Sequence, residues 1–353
     1  MKKALLIIAT VLGGMVAFAQ SLDKNEARQL REFLAQPAHE AATNAAALGV
    51  SGDVGSVASI VGVTVENGHV TAIEWKDKKL GGELDLSNFK ALAKVNVSRN
   101  AISNLNLAGC SQLADLNAGR NKLKTVDFSG CTNLQKAAVY KNRLTEIELS
   151  DSPLLENLNV SNNLFVELNL ANSVNLKTLN CQGCHLESLN ISGCTALKNL
   201  YCGYNRLTSV LLDGVESLQN LNIDDNEIAN FFISNLSSLS TLICSDNNMV
   251  SLGLRNCNAL LDLVCSYNDL TNLSVEGCPN LQYVDCSYND LTSLDLSNQT
   301  FLQRLICNNN QLTMLDVSFD QALVYINCRY NMITDLRTVA CDNLRMIACQ
   351  WNF

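Results

Sequence analysis

Asparagine returns every 21 residues along most of this chain. The slots are Asn100, Asn121, Asn142, Asn163, Asn205, Asn226, Asn247, Asn268, Asn289, Asn310, Asn331 and Asn352, with Cys184 standing in once. No insertion or deletion interrupts them. A fixed period of this length marks a solenoid, because one coil cannot bury its apolar face alone while stacked coils can. From Leu113 the unit reads L-x-x-L-x-(A/V/C)-x-x-N-x-L-x-x-L-x-L. One apolar column runs from Leu113 through Leu134 and Leu155 to Leu344, and another from Ile102 through Leu123 to Ile333. The alternation around Leu116 and Ala118 has the period of a short strand with two residues inward. Each Asn amide carries donors and an acceptor for backbone groups that a tight coil turns inward. Cys184 cannot match that, which predicts a weaker coil there.

The segment LQYVDCSYNDLTSLDLSN (281 to 298) repeats this pattern twice over in miniature. It resembles the leucine-rich repeat family, specifically its bacterial 21-residue nested-repeat class, and the resemblance covers about residues 70–353. It implies an α/β-type, predominantly β solenoid of about 13 coils, with a parallel sheet of short strands on the concave side. The second half of each unit, Leu294-Asp295-Leu296 for example, is expected to form a strand as well. Residues 20–69 read as an amino-terminal cap. A helix over 25–35 places Ala27, Leu30, Phe33 and Leu34 on one face and is closed by Pro37. A hairpin over 61–75 turns at Asn67-Gly68. The stretch 38–59 gives no assignable pattern. At the other end the repeat stops in mid-coil. Trp351 and Phe353 shielding the last coil, a truncation, or a partner covering it, including edge-to-edge pairing of two copies, are the alternatives.

The first residues read as an export signal. Lys2 and Lys3 precede an apolar run over 4–16, and Ala17-Phe18-Ala19 fits cleavage after Ala19. No Cys sits at the junction, so a lipid anchor is not expected. No segment is long and apolar enough to span a membrane. The expected location is the periplasm, cell surface or medium. The chain carries 25 Lys and Arg against 34 Asp and Glu, net −9, and losing Lys2 and Lys3 takes this to −11. Such a balance argues against nucleic acid and anionic lipid as partners.

Fifteen cysteines in an exported chain suggest disulfides. The repeat explains them differently. Eight share the inward strand column of Val97, Ala118 and Val139: Cys181, Cys202, Cys244, Cys265, Cys286, Cys307, Cys328 and Cys349. Six share a second column: Cys110, Cys131, Cys194, Cys257, Cys278 and Cys341. All are expected as buried free thiols acting as small hydrophobes. Cys181-x-x-Cys184 is then one ladder rung and one Asn slot, not a redox or zinc motif. His39, His69 and His185 are scattered, so neither metal nor cofactor is expected. With no phosphate loop, nucleophile elbow or triad, the chain does not read as an enzyme. Asp224-Asp225 reads as solvated surface.

One surface pattern remains. Taking the columns through Lys94, Asn96 and Ser98 as outward, with Arg99 just beyond, all eight tyrosines fall in these four. Tyr283 and Tyr325 share the first, Tyr201 the second and Tyr140 the third. Tyr204, Tyr267, Tyr288 and Tyr330 share the fourth with Trp351. The bland reading is that strands favour exposed Tyr. The functional reading is a ligand-facing stripe, since Tyr and Trp give rigid area with a polar tip. Charge is graded along this face. Lys94, Arg99, Arg120, Lys136 and Lys141 come early, acids from Asp224 to Asp285 follow, and Arg304 and Arg329 sit among the late tyrosines. The expectation is an exported, non-enzymatic binding scaffold recognising a protein partner through Tyr201, Tyr204, Tyr267, Tyr283, Tyr288, Tyr325, Tyr330, Trp351, Arg304 and Arg329. The alternative is a carbohydrate-binding component for polysaccharide capture.

Overall fold

The computed structural model describes residues 22–50, 60–297, 299–318 and 320–352. The expected leader and Phe353 lie outside the described residues. The chain divides into two compact units, Met1–Leu154 and Leu155–Phe353.

The first unit opens with helix α1, Lys24–Ala35. The Asp23 carboxylate caps it, accepting from the Asn25 and Glu26 amides at 2.9 and 3.2 Å. The expected face, Ala27, Leu30, Phe33 and Leu34, is buried, and Phe33 stacks on Trp75 with ring centroids 5.6 Å apart. The helix ends because Pro37 forces Gln36 into extended backbone, φ −71° and ψ 155°. A short helix α2, Asn44–Ala47, occupies part of the unassigned stretch. Its buried Asn44 donates to the Phe33 and Gly81 carbonyls and accepts from the Gly81 amide, each at 2.9 Å. Strands β1 (Val63–Glu66) and β2 (His69–Glu74) form the expected antiparallel hairpin about Asn67-Gly68. β2 then pairs in parallel with the first repeat strand, so the hairpin also begins the main sheet.

The coils follow as β3 (Gly81–Asp85), β4 (Lys94–Asn96), β5 (Ala101–Asn106), β6 (Asp115–Asn117), β7 (Val126–Asp127) and β8 (Lys136–Ala138). β1-β2-β4-β6-β8 make one face and β3-β5-β7 a second. In the second unit, three-residue strands from Asn157–Asn159 to Met346–Ala348 pair in parallel, one coil step apart; Val284 faces Leu305, for example. The second face there carries separate two-stranded ladders, 167–169 with 188–190, 230–234 with 251–255 and 314–316 with 335–337. Leu294-Asp295-Leu296 forms no strand, contrary to expectation. Leu294 and Leu296 are nonetheless buried, so packing holds this segment without ladder hydrogen bonds. The architecture is a mostly-β leucine-rich repeat solenoid of about thirteen coils.

The asparagines do what the spacing predicts. Asn205 shows the pattern at its fullest, beside Cys184: Nδ2 donates to the Cys181, Cys202 and Gly203 carbonyls at 3.0, 2.9 and 3.1 Å. Its Oδ1 accepts from the Cys184 and Leu186 amides at 2.9 and 3.0 Å. One side chain thus bonds five inward backbone groups; the Cys202 and Gly203 carbonyls also accept from the Asn226 side chain and the Gly183 amide, and the other three would be buried unpaired without it.

The fifteen cysteines are free, thirteen of them buried. Burial pushes the Cys202, Cys244 and Cys286 thiols up to about 12, which suppresses the reactive thiolate. Two depart from expectation: Cys341 is half-buried and Cys349 exposed. The second column is also more than apolar. Cys110, Cys131 and Cys194 donate Sγ–H to the Leu86, Leu107 and Leu170 carbonyls at 3.1, 3.3 and 3.2 Å. Ser152 and Gln299 take the same column and also donate to carbonyls, those of Cys131 and Val275. Where the column holds a thiol, a hydroxyl or an amide, that group can donate, whereas Val215 and Leu236 fill the same buried position without a donor.

Candidate functional site

The four columns read as outward differ once folded. The first two lie on the strands and point out. The third turns in. Ser98, Ser161, Ser245, Ser266, Ser287 and Asn308 are all buried there, which explains its small residues. The fourth is a corner. Arg99, Arg120, Lys141, Tyr204, Tyr267, Tyr288, Tyr330 and Trp351 all have φ between 52° and 60°. This left-handed conformation strains bulky side chains by about 1–3 kcal/mol each. Glycine or asparagine relieves it, as Gly183, Asn162 and Asn309 do in this same column. Tyrosine at a strained corner is thus not explained by strand propensity, and it is held out where solvent reaches it.

Stacking brings most of the predicted residues together in the last five coils. At the corner, Tyr267 and Tyr288 stack with centroids 4.2 Å apart and planes at 8°. Tyr330 and Trp351 stack at 4.6 Å and 5°. On the strands, Arg304 sits between Tyr283 and Tyr325, its guanidinium carbon 5.8 and 4.9 Å from the ring centroids. That spacing suits cation–π attraction. Asp285 is tied up, accepting from the Ser287 amide and hydroxyl at 3.1 and 2.6 Å and from the Tyr283 hydroxyl at 3.4 Å. Arg329, in the inward-turned column, gives its Nε–H to the Gln350 side chain.

Tyr201 and Tyr204 do not join this group. Tyr201 is half-buried on its strand, whereas Tyr204 stands exposed beside acids. The neighbouring Asp224 carboxylate raises the Tyr204 phenol. Asp225 and Asp246 occupy the corners that separate Tyr204 from Tyr267. Asp224 itself corrects the solvated-surface expectation. It is half-buried, its Oδ1 has no hydrogen-bond partner among the described residues, and burial raises its carboxyl.

Trp351 does not shield the last coil. Ile347 remains 39% exposed although its counterparts Val284, Leu305 and Ile326 are fully buried. Trp351 packs along the corner instead. In the first unit a cavity of about 490 Å³ lies between α1 and the start of the coils, lined by Glu26, Gln29, His69 and Asp85 among others. Buried Glu26 accepts from the Val70 amide at 2.8 Å and lies 3.0 Å from the His69 ring. Three-dimensional folding joins these residues, and no spacing in the sequence flagged them.

The arrangement defines a leucine-rich repeat fold presenting an aromatic, solvent-facing edge and strand face. Solved structures share the fold. YopM, an effector of Yersinia pestis, matches with a TM-score of 0.64 at 22% identity, over 80% of this chain and 83% of that one. A leucine-rich repeat protein of Leptospira interrogans matches at 0.54 and 23%, over 76% and 86%. The PEPR1–AtPEP1 structure matches at 0.72 and 20%, over 90% of this chain and 52% of the other, so the chain spans about half of that relative's length. At these identities the likeness is one of fold. No protein-family model and no curated protein matches the chain. No helix among the described residues is long and apolar enough to cross a membrane.

Proposed function

We propose that the chain is a non-enzymatic binding scaffold of the 21-residue nested-repeat class that engages a protein partner through Tyr267, Tyr283, Tyr288, Tyr325, Tyr330, Trp351 and Arg304. The observation that carries this is the direction of the stacking. The rings lie face to face along the coil axis. One face of each ring is used on its partner, and edges and hydroxyls are left for a ligand. Sugar rings dock on open aromatic faces, whereas protein hot spots accept rigid aromatic edges with polar tips beside an arginine. Spread over five coils, the surface also has the extent of a protein contact. The structural relative bearing AtPEP1 supports a protein or peptide ligand as the class.

The leader pattern Lys2, Lys3 and Ala17-Phe18-Ala19 supports export, which would bring the scaffold to partners outside the cytoplasm. The mature amino terminus is then Gln20, readable by mass spectrometry of the exported protein.

Panning a displayed protein-fragment library against the mature chain tests the binding reading. Hydrogen exchange should show protection by selected fragments over 262–289 and 304–330. Protection confined to other coils would contradict it.

A further inference from the structure

The first unit carries a second feature that the tyrosine face does not absorb. Corner residues Arg99, Arg120 and Lys141 follow one another on successive coils, each exposed and each in the left-handed conformation. Parallel-strand stacking sets successive corners about 4.8 Å apart. Lys122 and Arg143 stand exposed just past the corner, and Lys136 on the strand. Among the described residues none of these six has a carboxylate within ion-pair distance. The acids on this side are Glu74 on β2, Asp77 at the preceding corner, and Asp115, half-buried on β6. Lys94 is by contrast neutralised by Glu74 at 2.6 Å.

This row is improbable as a mere solvated face. The chain holds 34 acids against 25 bases, so a random patch should be acidic. Like charges on adjacent rungs repel one another. Long side chains at left-handed corners add backbone strain that asparagine, as at Asn162, would relieve.

We infer that this ridge binds a linear acidic polysaccharide, its carboxylate or sulfate groups pairing with Arg99, Arg120 and Lys141 in register. The coil rise is close to the advance of one sugar ring along an extended chain, so charges repeating along the polymer meet cations repeating along the solenoid. No exposed aromatic anchor lies on the row. Tyr140, the ring nearest in register, is half-buried and fills the space that Gly119 leaves. A charge-rich, apolar-poor ligand fits such a surface better than a protein does. The inference is independent of the tyrosine face.

The full mature chain is tested on immobilised heparin and alginate, with neutral dextran, poly-glutamate and duplex DNA alongside. The substitutions are Arg99→Gln, Arg120→Gln and Lys141→Gln together. A charge-matched control removes Lys198, Arg206 and Arg255 in the second unit. The expected result is retention on heparin and alginate but not dextran, with affinity falling about tenfold or more in the ridge variant and less than about twofold in the control. The slope of log affinity against log salt should drop by about two. Equal losses in both variants, no retention, or equally tight binding to poly-glutamate or DNA would overturn the inference.

Discussion

Cys184 donates its thiol to the Val160 carbonyl oxygen, 3.2 Å away and 24 residues earlier, the acceptor position that the asparagine amide serves in neighbouring coils. Asn205 reaches Cys181 in the same relation at 3.0 Å. Sulfur keeps that bond and a long contact of 3.7 Å to the Gln182 carbonyl, and loses the rest. It offers no oxygen to the Phe165 amide, where Asn205 takes the equivalent Leu186 amide.

Cys184→Asn should therefore stabilise the second unit by about 1 kcal/mol, the net worth of one restored hydrogen bond. Asn205→Ala, which leaves the Cys181 carbonyl and the Cys184 and Leu186 amides without a partner, should destabilise it by about 3 kcal/mol or more. Urea unfolding of both variants checks the pair. A destabilised Cys184→Asn would mean the slot has adapted to sulfur.

Thiol reactivity follows from burial. A soluble thiol reagent should label Cys349 fast and Cys341 slowly in the native protein, and all fifteen after unfolding without reductant. Mass spectrometry counts the adducts. Disulfides in the unreduced chain would contradict the ladder account.

Asp320 gives the pH dependence. It takes the column position that elsewhere holds Cys110 or Ser152, is 2% exposed, and its Oδ2 has no partner among the described residues. Burial first, and Asp316 second, push its carboxyl from 3.8 up to about 7. Since the folded pKa is the higher, the folded state holds the proton more tightly. The contribution is complete below about pH 4 and is lost as pH rises through about 7. Thermal melts should show the C-terminal coils weakening across that window by a few kcal/mol. Asp320→Asn, a permanent donor, should flatten the slope and be the more stable at pH 8.

Much of this was written in the spacing. The leucine columns, the asparagine slots and the hairpin at Asn67-Gly68 were legible because each repeats a local rule at a fixed interval. The conformation of the corner was not, because Arg99 and Tyr267 are poor choices for a left-handed residue and their column contains only one glycine, Gly183. Period-two counting carried the strand one step too far, so the Ser98 column looked outward when it turns in. The donor role of Cys110 was hidden because a thiol reads as apolar. The aromatic group was found by column, but its division was not. Asp225 and Asp246 part Tyr204 from Tyr267 only once the coils are stacked.

The corner also separates stability from binding. Asparagine stands at Asn162 and Asn309 in the tyrosine column, so Tyr267→Asn, Tyr288→Asn and Tyr330→Asn together should relieve backbone strain while removing the stacks. The melting temperature should hold or rise, as scanning calorimetry would show. A drop of several degrees would assign the rings a structural role instead.

The most direct test of the account is the affinity of this same triple variant for a fragment selected on the native chain. Titration calorimetry should show at least a hundredfold weaker Kd, since each aromatic anchor is worth on the order of 1 kcal/mol or more. An unchanged Kd in a folded variant would contradict the claim that the tyrosine corner is the binding surface.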